Sequence, residues 1–170
     1  MIKVSKTDLD GVLLIEPDAF RDHRGYYTET YNEALYIKHG IDIKFIQDDI
    51  SVSKKDVLRG IHGDNVTWKL ISCLYGEFYF VVVNCDKESK QFGKWQAFNL
   101  SDKNHLQVLV PPKHGNGHLA LTDTVLFHYK QSTYYNPGLQ FTYKWNDQSL
   151  NIPWPVKNPI LSPRDQKGSF

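Results

Sequence analysis

The chain has few cysteines, almost no net charge and no long apolar run. Its only two cysteines, Cys73 and Cys85, show no CxxC or Cys/His spacing, which argues against a disulfide framework or a structural zinc site. Twenty basic residues nearly balance 19 acidic ones, so no basic surplus points to nucleic acid. No stretch approaches the roughly 18 apolar residues of a membrane span, and the first residues lack the apolar segment of a signal peptide. We therefore expect a cytoplasmic protein with no nucleic-acid or membrane partner.

Aromatic and β-branched residues are abundant by contrast. Ten Tyr, nine Phe and four Trp lie mostly in short apolar runs between Gly, Pro, Asn and Asp, which is typical of an all-β sandwich or barrel. One helix is predicted over 32–39, with Asn32 as its N-cap and Gly40 at its end. At this length we expect one domain, 1–170. The predicted strands are 11–16, 26–31, 45–52, 58–62, 69–75, 78–85, 95–100, 107–110, 117–121, 125–131 and 141–144.

The clearest hairpin is predicted around a tight turn at Gly76-Glu77, between the runs 69–75 and 78–85. The second run is apolar on both faces, so we expect it to lie centrally between two layers. After Trp145 the chain is rich in proline, and this region should wrap around the body as an ordered tail.

The most informative stretch is the run from Val57 to His62, in which Arg59 precedes the imidazole by three residues. Histidine is the side chain most easily poised as a base near neutral pH, and arginine is suited to gripping an anionic group. A base next to an anion clamp indicates a phosphorylated substrate. The alternative is that His62 is a packed or hydrogen-bonded strand histidine, which is the commoner case.

Two polar clusters precede this run. The turn that opens into strand 26–31 carries Arg24 close to Asp22, and the pair could instead be a loop salt bridge of little energetic value. Gln47 and Asp49 share one face of a predicted strand. We therefore expect one of them to meet a ligand and the other to meet solvent.

Two clusters follow it. His114, Asn116 and His118 invite a metal interpretation, since imidazoles are common transition-metal ligands. However, no HxH pair occurs and no chain of carboxylates lies nearby, so we expect no metal. Tyr134 and Tyr135 must point to opposite faces if they are extended. One ring could then lie in the core and the other over a ligand.

Taken in order, these clusters resemble the dTDP-4-dehydrorhamnose 3,5-epimerase family of nucleotide-sugar epimerases. The resemblance covers nearly the whole chain, and agreement of so many ordered segments is far more specific than any one of them. The matching segments are FRDHRGYYTETY, FIQDDISVSKKDVLRGIH, WKLISCLYGEFYFVVVN, FGKWQAFNLSDKNHLQVLVPP, GHLAL, YKQSTYYNPG, WNDQSLNIPWP and LSPRDQ.

The resemblance implies a fold and a reaction. It implies an all-β, cupin-type jelly roll with one short helix and an ordered C-terminal tail, usually a homodimer, with no metal or redox cofactor. The implied reaction inverts carbons that flank the C4 ketone of a 4-keto-6-deoxy sugar attached to a nucleoside diphosphate. A proton alpha to a ketone is acidic because the carbanion is an enolate, so a positioned base can remove it. Inversion then requires an acid on the opposite face.

The resemblance also implies four catalytic residues. His62 of RGIH matches the base, and Asp165 of LSPRD matches the partner that orients its ring. Tyr129 of YKQSTYY matches the acid, although the residue alone could be a core phenol with a satisfied hydroxyl. Lys69 of WKL matches a lysine beside the C4 oxygen, where a cation stabilises the developing enolate.

Further residues are implied to bind the nucleotide sugar. Arg59 and Arg24 match the grips of the diphosphate, with Arg24 contributed across the dimer in a swapped N-terminal strand. Glu29 and Gln47 match residues near the base and the phosphates. Tyr135 matches a tyrosine stacked near the nucleotide.

The chain departs from the family pattern at several positions. Asn116 stands where the family usually has histidine, Phe80 stands where it has aspartate, and the loop 63–68 is shorter than usual. Both lost groups belong to the polar network around the lysine and the base, so the substrate is expected to differ. The form with GDNxTWKL and GNGH looks like a branch acting on GDP-linked 4-keto heptoses in capsule synthesis. We therefore expect a GDP-6-deoxy-4-keto-heptose, with a dTDP-4-keto-6-deoxyhexose as the alternative.

Two further functions remain open at this point. A 3,4-ketoisomerase would keep the fold and the base but move the carbonyl, and such enzymes lack the acid that Tyr129 matches. A non-catalytic sugar-nucleotide binding module or a metal-dependent cupin would share the fold alone.

Overall fold

The computed structural model describes residues 1–168, which form thirteen β-strands, two short α-helices and one 3₁₀ turn. The strands are β1 (Ile2–Lys6), β2 (Leu13–Pro17), β3 (Ala19–Asp22), β4 (Gly25–Thr28), β5 (Gln47–Lys54), β6 (Leu58–Gly63), β7 (Lys69–Tyr75), β8 (Glu77–Asn84), β9 (Trp95–Ser101), β10 (Gln107–Val110), β11 (His114–Ala120), β12 (Thr124–Gln131) and β13 (Phe141–Thr142). The helices are α1 (Glu33–Lys38) and α2 (Pro163–Lys167), and the 3₁₀ turn is Pro137–Leu139.

Most strands belong to two sheets that pack face to face. One sheet has the order β1-β2-β10-β7-β12-β5 and the other has the order β13-β6-β11-β8-β9. β3 and β4 form a separate two-stranded hairpin. The predicted all-β jelly roll is confirmed, and strand pairing within both large sheets is antiparallel.

The core between the sheets is built from alternate residues of the inner strands. Ile71 of β7 and Phe127 of β12 pack in one cluster with Phe80 and Val82 of β8, and none of the four is more than 5% exposed. The period-two alternation of strands brings these side chains to the inner faces. Free Cys73 belongs to the same cluster, where it is a small buried side chain.

The predicted hairpin 69–75/78–85 is wrong. The chain turns at Gly76, but β7 pairs with β10 and β12 in one sheet, whereas β8 pairs with β9 and β11 in the other. Gly76 has φ +81, and a Cβ there would collide with the backbone oxygen of Thr124. Both runs are apolar enough to form central strands, and each has two neighbours in its own sheet. The turn at Gly76 therefore connects the two sheets instead of closing a hairpin within one of them.

The expectation that 78–85 is buried on both faces holds. Phe80 faces the core between the sheets, whereas Val81 and Val83 face a second cluster on the other side of β8. Leu150 and Trp154 of the C-terminal region complete that second cluster. The proline-rich region is thus an ordered tail that covers the outer face of the five-stranded sheet.

The predicted helix over 32–39 is confirmed as α1. The side chain of Asn32 accepts a hydrogen bond from the N–H of Leu35 at 3.1 Å, which caps the helix, and Tyr36 is buried beneath it. The expectation of one short helix is wrong in number, because α2 follows in the tail. Ser162 caps α2 by accepting a hydrogen bond from the N–H of Asp165 at 3.2 Å. Within residues 1–168 no helix is long and apolar enough to span a membrane.

We expect Trp154 to fix the tail to the sheet. Its ring is 8% exposed and packs against Tyr79, and its Nε1 donates a hydrogen bond to the backbone oxygen of Trp145 at 2.8 Å. Trp154→Ala should lower the free energy of unfolding by about 3–5 kcal/mol, since it leaves a cavity in a packed cluster. Urea denaturation measures this change. Ile160→Ala on the same tail is the control, because Ile160 is 45% exposed, and an equal loss in both variants would contradict the assignment.

Candidate active site

A cavity of about 350 Å³ opens at one end of the sandwich, between the two large sheets. Strands β5, β7 and β12 contribute to it from one sheet and β6 and β11 from the other, and the tail closes one side. Its lining residues are Ser51, Arg59, His62, Lys69, Ile71, Asn116, His118, Phe127, Tyr129, Gln131, Tyr135, Gln140, Ser162, Arg164 and Asp165.

His62 and Asp165 meet in this cavity from distant parts of the chain. Nε2 of His62 lies 2.6 Å from Oδ1 of Asp165, although the ring N–H does not point along the line to that oxygen. His62 is on β6, and Asp165 is on α2. The tail is held beside β6 because Leu58 donates its N–H to the backbone oxygen of Ile160 at 3.0 Å. The two groups that sequence reasoning paired therefore lie in contact.

The Asp165 carboxylate is almost inaccessible, with 2% of its side chain exposed. Burial alone would raise its pKa, but the adjacent His62 ring, together with hydrogen bonds from Ser162 and from the N–H of Gly60, outweighs this effect and lowers the pKa to about 2. The Ser162 hydroxyl donates to Oδ2 at 2.6 Å and Gly60 donates to Oδ1 at 3.1 Å. Asp165 is thus a fixed negative charge beside the imidazole.

Gly60 is needed at this point of β6. Its φ is +126, and a Cβ there would lie 2.5 Å from the Cα of Gly117 on β11. The register between β6 and β11 shifts between Asn116 and His118. At this close approach of the two backbones, the Gly60 N–H donates to Asp165. The same contact fixes the position of the end of β6 that carries His62.

Tyr129 lies on β12, in the opposite sheet from His62. Burial, followed by the charges of Asp49 and Tyr135, raises the pKa of Tyr129 to about 12. The phenol therefore keeps its proton at neutral pH and can donate it. Tyr129 and His62 line one cavity from different sheets. An imidazole, which can accept a proton, and a phenol, which can donate one, therefore face the same cavity.

Lys69 begins β7 and is 8% exposed. Burial lowers the pKa of Lys69 from its ordinary value, and the negative charge of Asp64 opposes that effect. Arg59 and Arg164 also line the cavity. Within residues 1–168 the lining therefore carries these three cations and one carboxylate, Asp165, so it attracts anions.

Asn116 and Phe80, the two departures from the family pattern, occupy different places. Asn116 lines the cavity, where its Nδ2 donates to the backbone oxygen of His62 at 3.2 Å. Its amide thus supports the strand that carries His62. Phe80 is fully buried in the core between the sheets. An aspartate at that position would be surrounded by apolar side chains.

Gln47 and Asp49 are both half-buried, so neither side chain is fully exposed to solvent as expected, and contact of one of them with a ligand stays a prediction. Gln47 donates its Nε2 to Oδ2 of Asp49 at 2.8 Å, and its Oε1 accepts the N–H of Tyr135 at 2.9 Å. Gln131 also donates to Asp49, at 2.7 Å. Both residues therefore brace the loop that brings Tyr135 to the cavity. The alternation of side chains along a strand correctly predicted that the two residues share one face. The loop that carries Tyr135 packs over that face and separates it from solvent.

Arg24 and Glu29 do not reach the cavity of their own chain. Arg24 Nη2 lies 2.6 Å from Oδ2 of Asp22 within the β3–β4 hairpin, and both side chains are exposed. Glu29 accepts a hydrogen bond from Nδ2 of Asn32 at 2.8 Å. Within one chain the loop salt bridge is thus what the structure shows. The placement of Arg24 across a dimer stays a prediction.

Several lining residues were missed. Arg164 is adjacent to Asp165 on α2, and Ser162-Pro163 with an acidic residue in the first turn was a readable start signal for this helix. His118 was considered only as a metal ligand; it lies on the same strand face as Asn116 in β11, which the predicted strand 117–121 began too late to show. Its ring stacks on Phe127 at 4.0 Å, and burial, then the charges of Arg59 and His62, lower its pKa to about 3.

The histidines of β11 do not converge on a common point. Nδ1 of His114 lies 3.0 Å from the backbone oxygen of Pro112, whereas His118 is stacked in the core. Among residues 1–168 no group of three or more His, Cys, Asp and Glu is arranged to hold a metal ion. A jelly roll whose inner cavity collects proton-transfer groups indicates an acid–base enzyme of the cupin type.

Comparison with known proteins identifies the family. The family model for dTDP-4-dehydrorhamnose 3,5-epimerase matches residues 6–170. The dTDP-4-dehydrorhamnose 3,5-epimerase of Salmonella typhimurium is 39% identical over 170 residues, which cover 97% of this chain and 93% of the relative. The chain therefore belongs to the dTDP-4-dehydrorhamnose 3,5-epimerase family, and the prediction of an enzyme is confirmed.

Two solved structures agree closely with the fold. The dTDP-4-dehydrorhamnose 3,5-epimerase from Bacillus anthracis, with TDP and PPi bound, gives a TM-score of 0.95 at 36% identity and covers 98% of both chains. The 3,5-epimerase from Legionella pneumophila, in complex with dTDP-4-keto-L-rhamnose, gives 0.92 at 34% identity, covering 97% of this chain and 90% of its own. The cupin-type architecture predicted from sequence is confirmed.

We expect the Asp165 carboxylate to make stability depend on acid pH. Its pKa in the folded protein, about 2, is below the ordinary 3.8, so the ionised form stabilises the fold above about pH 4. This contribution, about 2 kcal/mol, should be lost as the pH falls from about 4 to about 2. Urea denaturation between pH 7 and pH 2 measures it.

Asp165→Asn should lack this acid-dependent loss, while Asp123→Asn, at an exposed loop carboxylate, should retain the wild-type profile. An unchanged acid profile in Asp165→Asn would mean that other carboxylates carry the dependence.

Proposed function

We propose that the protein epimerises a dTDP-linked 4-keto-6-deoxyhexose by proton removal and return at carbons next to the C4 ketone. The observation that carries this proposal is the shared cavity of the His62–Asp165 pair and Tyr129, which approach it from opposite sheets. Membership of the family supports the reaction class. The cationic lining supports a diphosphate-bearing substrate.

In the proposed first step, His62 removes the proton from C3, and the C–H electrons form the enolate with C4 and its oxygen. Asp165 remains ionised, because its pKa is about 2, and stabilises the imidazolium that forms. Lys69 places a cation in the same cavity, where it stabilises the negative charge that develops on the C4 oxygen.

In the proposed second step, Tyr129 gives its proton to C3 from the opposite face, and the enolate electrons return to form the C–H bond. Its raised pKa keeps the phenol protonated until this step. His62 then loses its proton to water and Tyr129 regains one, so the enzyme is restored. The same cycle at C5 gives the double inversion.

Binding of the nucleotide is assigned to the rest of the site. Arg59 grips the diphosphate, and Tyr135, held by Gln47, stacks near the nucleotide. Arg24 and Glu29 would join them from a second copy, since the β3–β4 hairpin carries them away from the cavity of their own chain. A homodimer with a swapped N-terminal strand is therefore part of the proposal, as is a cytoplasmic location.

The choice of nucleotide follows the relatives. The names of the proteins compared above refer to dTDP-linked sugars. None of them supports the GDP-linked heptose that the sequence analysis predicted. The dTDP-linked hexose, the alternative of the sequence analysis, fits better.

Deuterium exchange tests the reaction. Incubation with a dTDP-4-keto-6-deoxyhexose in D₂O should add one mass unit for each inverted carbon, read by mass spectrometry after the hydroxyl positions are exchanged back. His62→Asn and Asp165→Asn should depress this exchange severely and leave nucleotide binding nearly intact. Tyr129→Phe should slow inversion about 10²–10⁴-fold, the usual range for a general acid.

Exposed Tyr134→Phe is the matched control and should keep the wild-type rate. Absence of deuterium in the wild-type product would reject the epimerase, and a 3-keto product in the NMR spectrum would favour the ketoisomerase. Full inversion by Tyr129→Phe would assign the acid to another group.

Nucleotide preference is expected to follow the family. Isothermal titration should show tighter binding of dTDP than of GDP to the wild-type protein. Arg59→Ala should weaken dTDP binding, whereas His62→Asn should not. Tighter binding of GDP, with exchange on a GDP-linked 4-keto heptose, would reverse the choice of substrate.

A further inference from the structure

Asp64 is a buried carboxylate just outside the cavity, in the turn that follows β6. It is 4% exposed. Its Oδ1 accepts the N–H groups of Val66 at 2.9 Å and Thr67 at 2.7 Å, and its Oδ2 accepts Nε2 of Gln140 at 2.8 Å. All three donors are uncharged. Gln140 itself lines the cavity. The Asp64 carboxylate, which does not line the cavity, therefore fixes the position of a lining side chain.

Lys69 lies five residues further along and is also buried, at 8% exposure. Among residues 1–168, the ion pairs within 4.0 Å involve other groups than Asp64 and Lys69. A buried charge is costly unless it is compensated. Here a buried carboxylate that holds the lining residue Gln140 and a buried lysine of the same lining carry opposite charges, and among the described residues neither has an ionic partner within 4.0 Å.

Other charges also face Lys69. Arg164 on α2 repels the ammonium group and Asp49 on β5 attracts it, while His62 and Tyr129 line the same cavity. Burial lowers the pKa of Lys69, and of the charges that oppose this lowering Asp64 is stronger than Asp49. Reciprocally, although burial acts to raise it, the pKa of Asp64 is lowered by its hydrogen bonds and by the charge of Lys69.

We propose that Asp64 is a positioning residue of the reaction, whose carboxylate supplies the counter-charge of the Lys69 ammonium and holds Gln140 in the cavity wall. The inference rests on the proposed function, because it acts through the cation assigned to the C4 oxygen.

The test separates this role from a purely structural one by following Lys69 directly. The ¹⁵N signal of the Lys69 Nζ is titrated with pH in the ligand-free protein and assigned by its loss in Lys69→Arg. Asp64→Asn keeps an oxygen for the N–H groups of Val66 and Thr67 but removes the charge. The midpoint of the Lys69 titration should then move to lower pH, and Asp64→Glu should restore it towards the wild-type value.

The pH profile of kcat gives a second measurement. Its alkaline limb should move to lower pH in Asp64→Asn, with the rate falling about tenfold per pH unit beyond the new midpoint. In a Lys69→Arg background the shift should vanish, because arginine stays charged. Asp102→Asn is the matched control, since Asp102 also holds a turn by accepting a backbone N–H, from Gly76 at 3.0 Å, but lies outside the cavity lining.

An unchanged Lys69 midpoint in folded Asp64→Asn would overturn the proposal. If Asp64→Asn does not fold, Asp64→Ser, whose hydroxyl can accept the same turn hydrogen bonds, replaces it in both measurements. Failure of both variants to fold would make Asp64 a structural residue and also overturn the proposal. Should the wild-type protein exchange no substrate protons, the proposed function fails, while the Lys69 titration still decides the inference about its charge.

Discussion

The contact between the His62 imidazole and the Asp165 carboxylate is the interaction on which the rest of the site depends. It joins a strand of the sandwich to a helix of the tail at 2.6 Å. The carboxylate is buried and ionised, and it is compensated by the imidazole, the Ser162 hydroxyl and the Gly60 N–H. Removing any one of these partners would leave a buried negative charge less compensated, which is costly. The close approach of the backbones at Gly60 and Gly117 therefore helps to keep the Asp165 carboxylate ionised beside the imidazole.

The two clusters of apolar side chains stabilise different parts of the fold. The cluster between the sheets sets their spacing, and the cavity occupies the end where that packing stops. The second cluster, on the far side of β8, holds the tail. The strand segment 78–83 must therefore be apolar on both faces, and Phe80 lies in the core between the sheets, outside the cavity lining. Arg59, Lys69 and Arg164 face the cavity, where an anionic substrate can compensate their charges.

Sequence reasoning predicted the local features well and the long-range pairing less well. Apolar runs bounded by turn residues located β7 and β8 within about a residue, since such runs are a local property, but they could not assign the two strands to different sheets. Gln47 and Asp49 were correctly placed on one face, while the loop that packs there comes from beyond β12. His62, Asp165, Tyr129 and Lys69 were found because motifs carry them, whereas Asp64 and Gln140 act through contacts that only the folded chain creates.

The attachment of Asp165 to the tail has a kinetic consequence. The tail covers the outer face of the five-stranded sheet and contributes no residue to the cluster between the sheets, so a local opening that detaches the tail leaves that cluster packed. Each detachment would remove the carboxylate from the imidazole and interrupt turnover without unfolding the enzyme. The apparent rate is then scaled by the docked fraction, so that heat or mild denaturant should inactivate the protein before it melts.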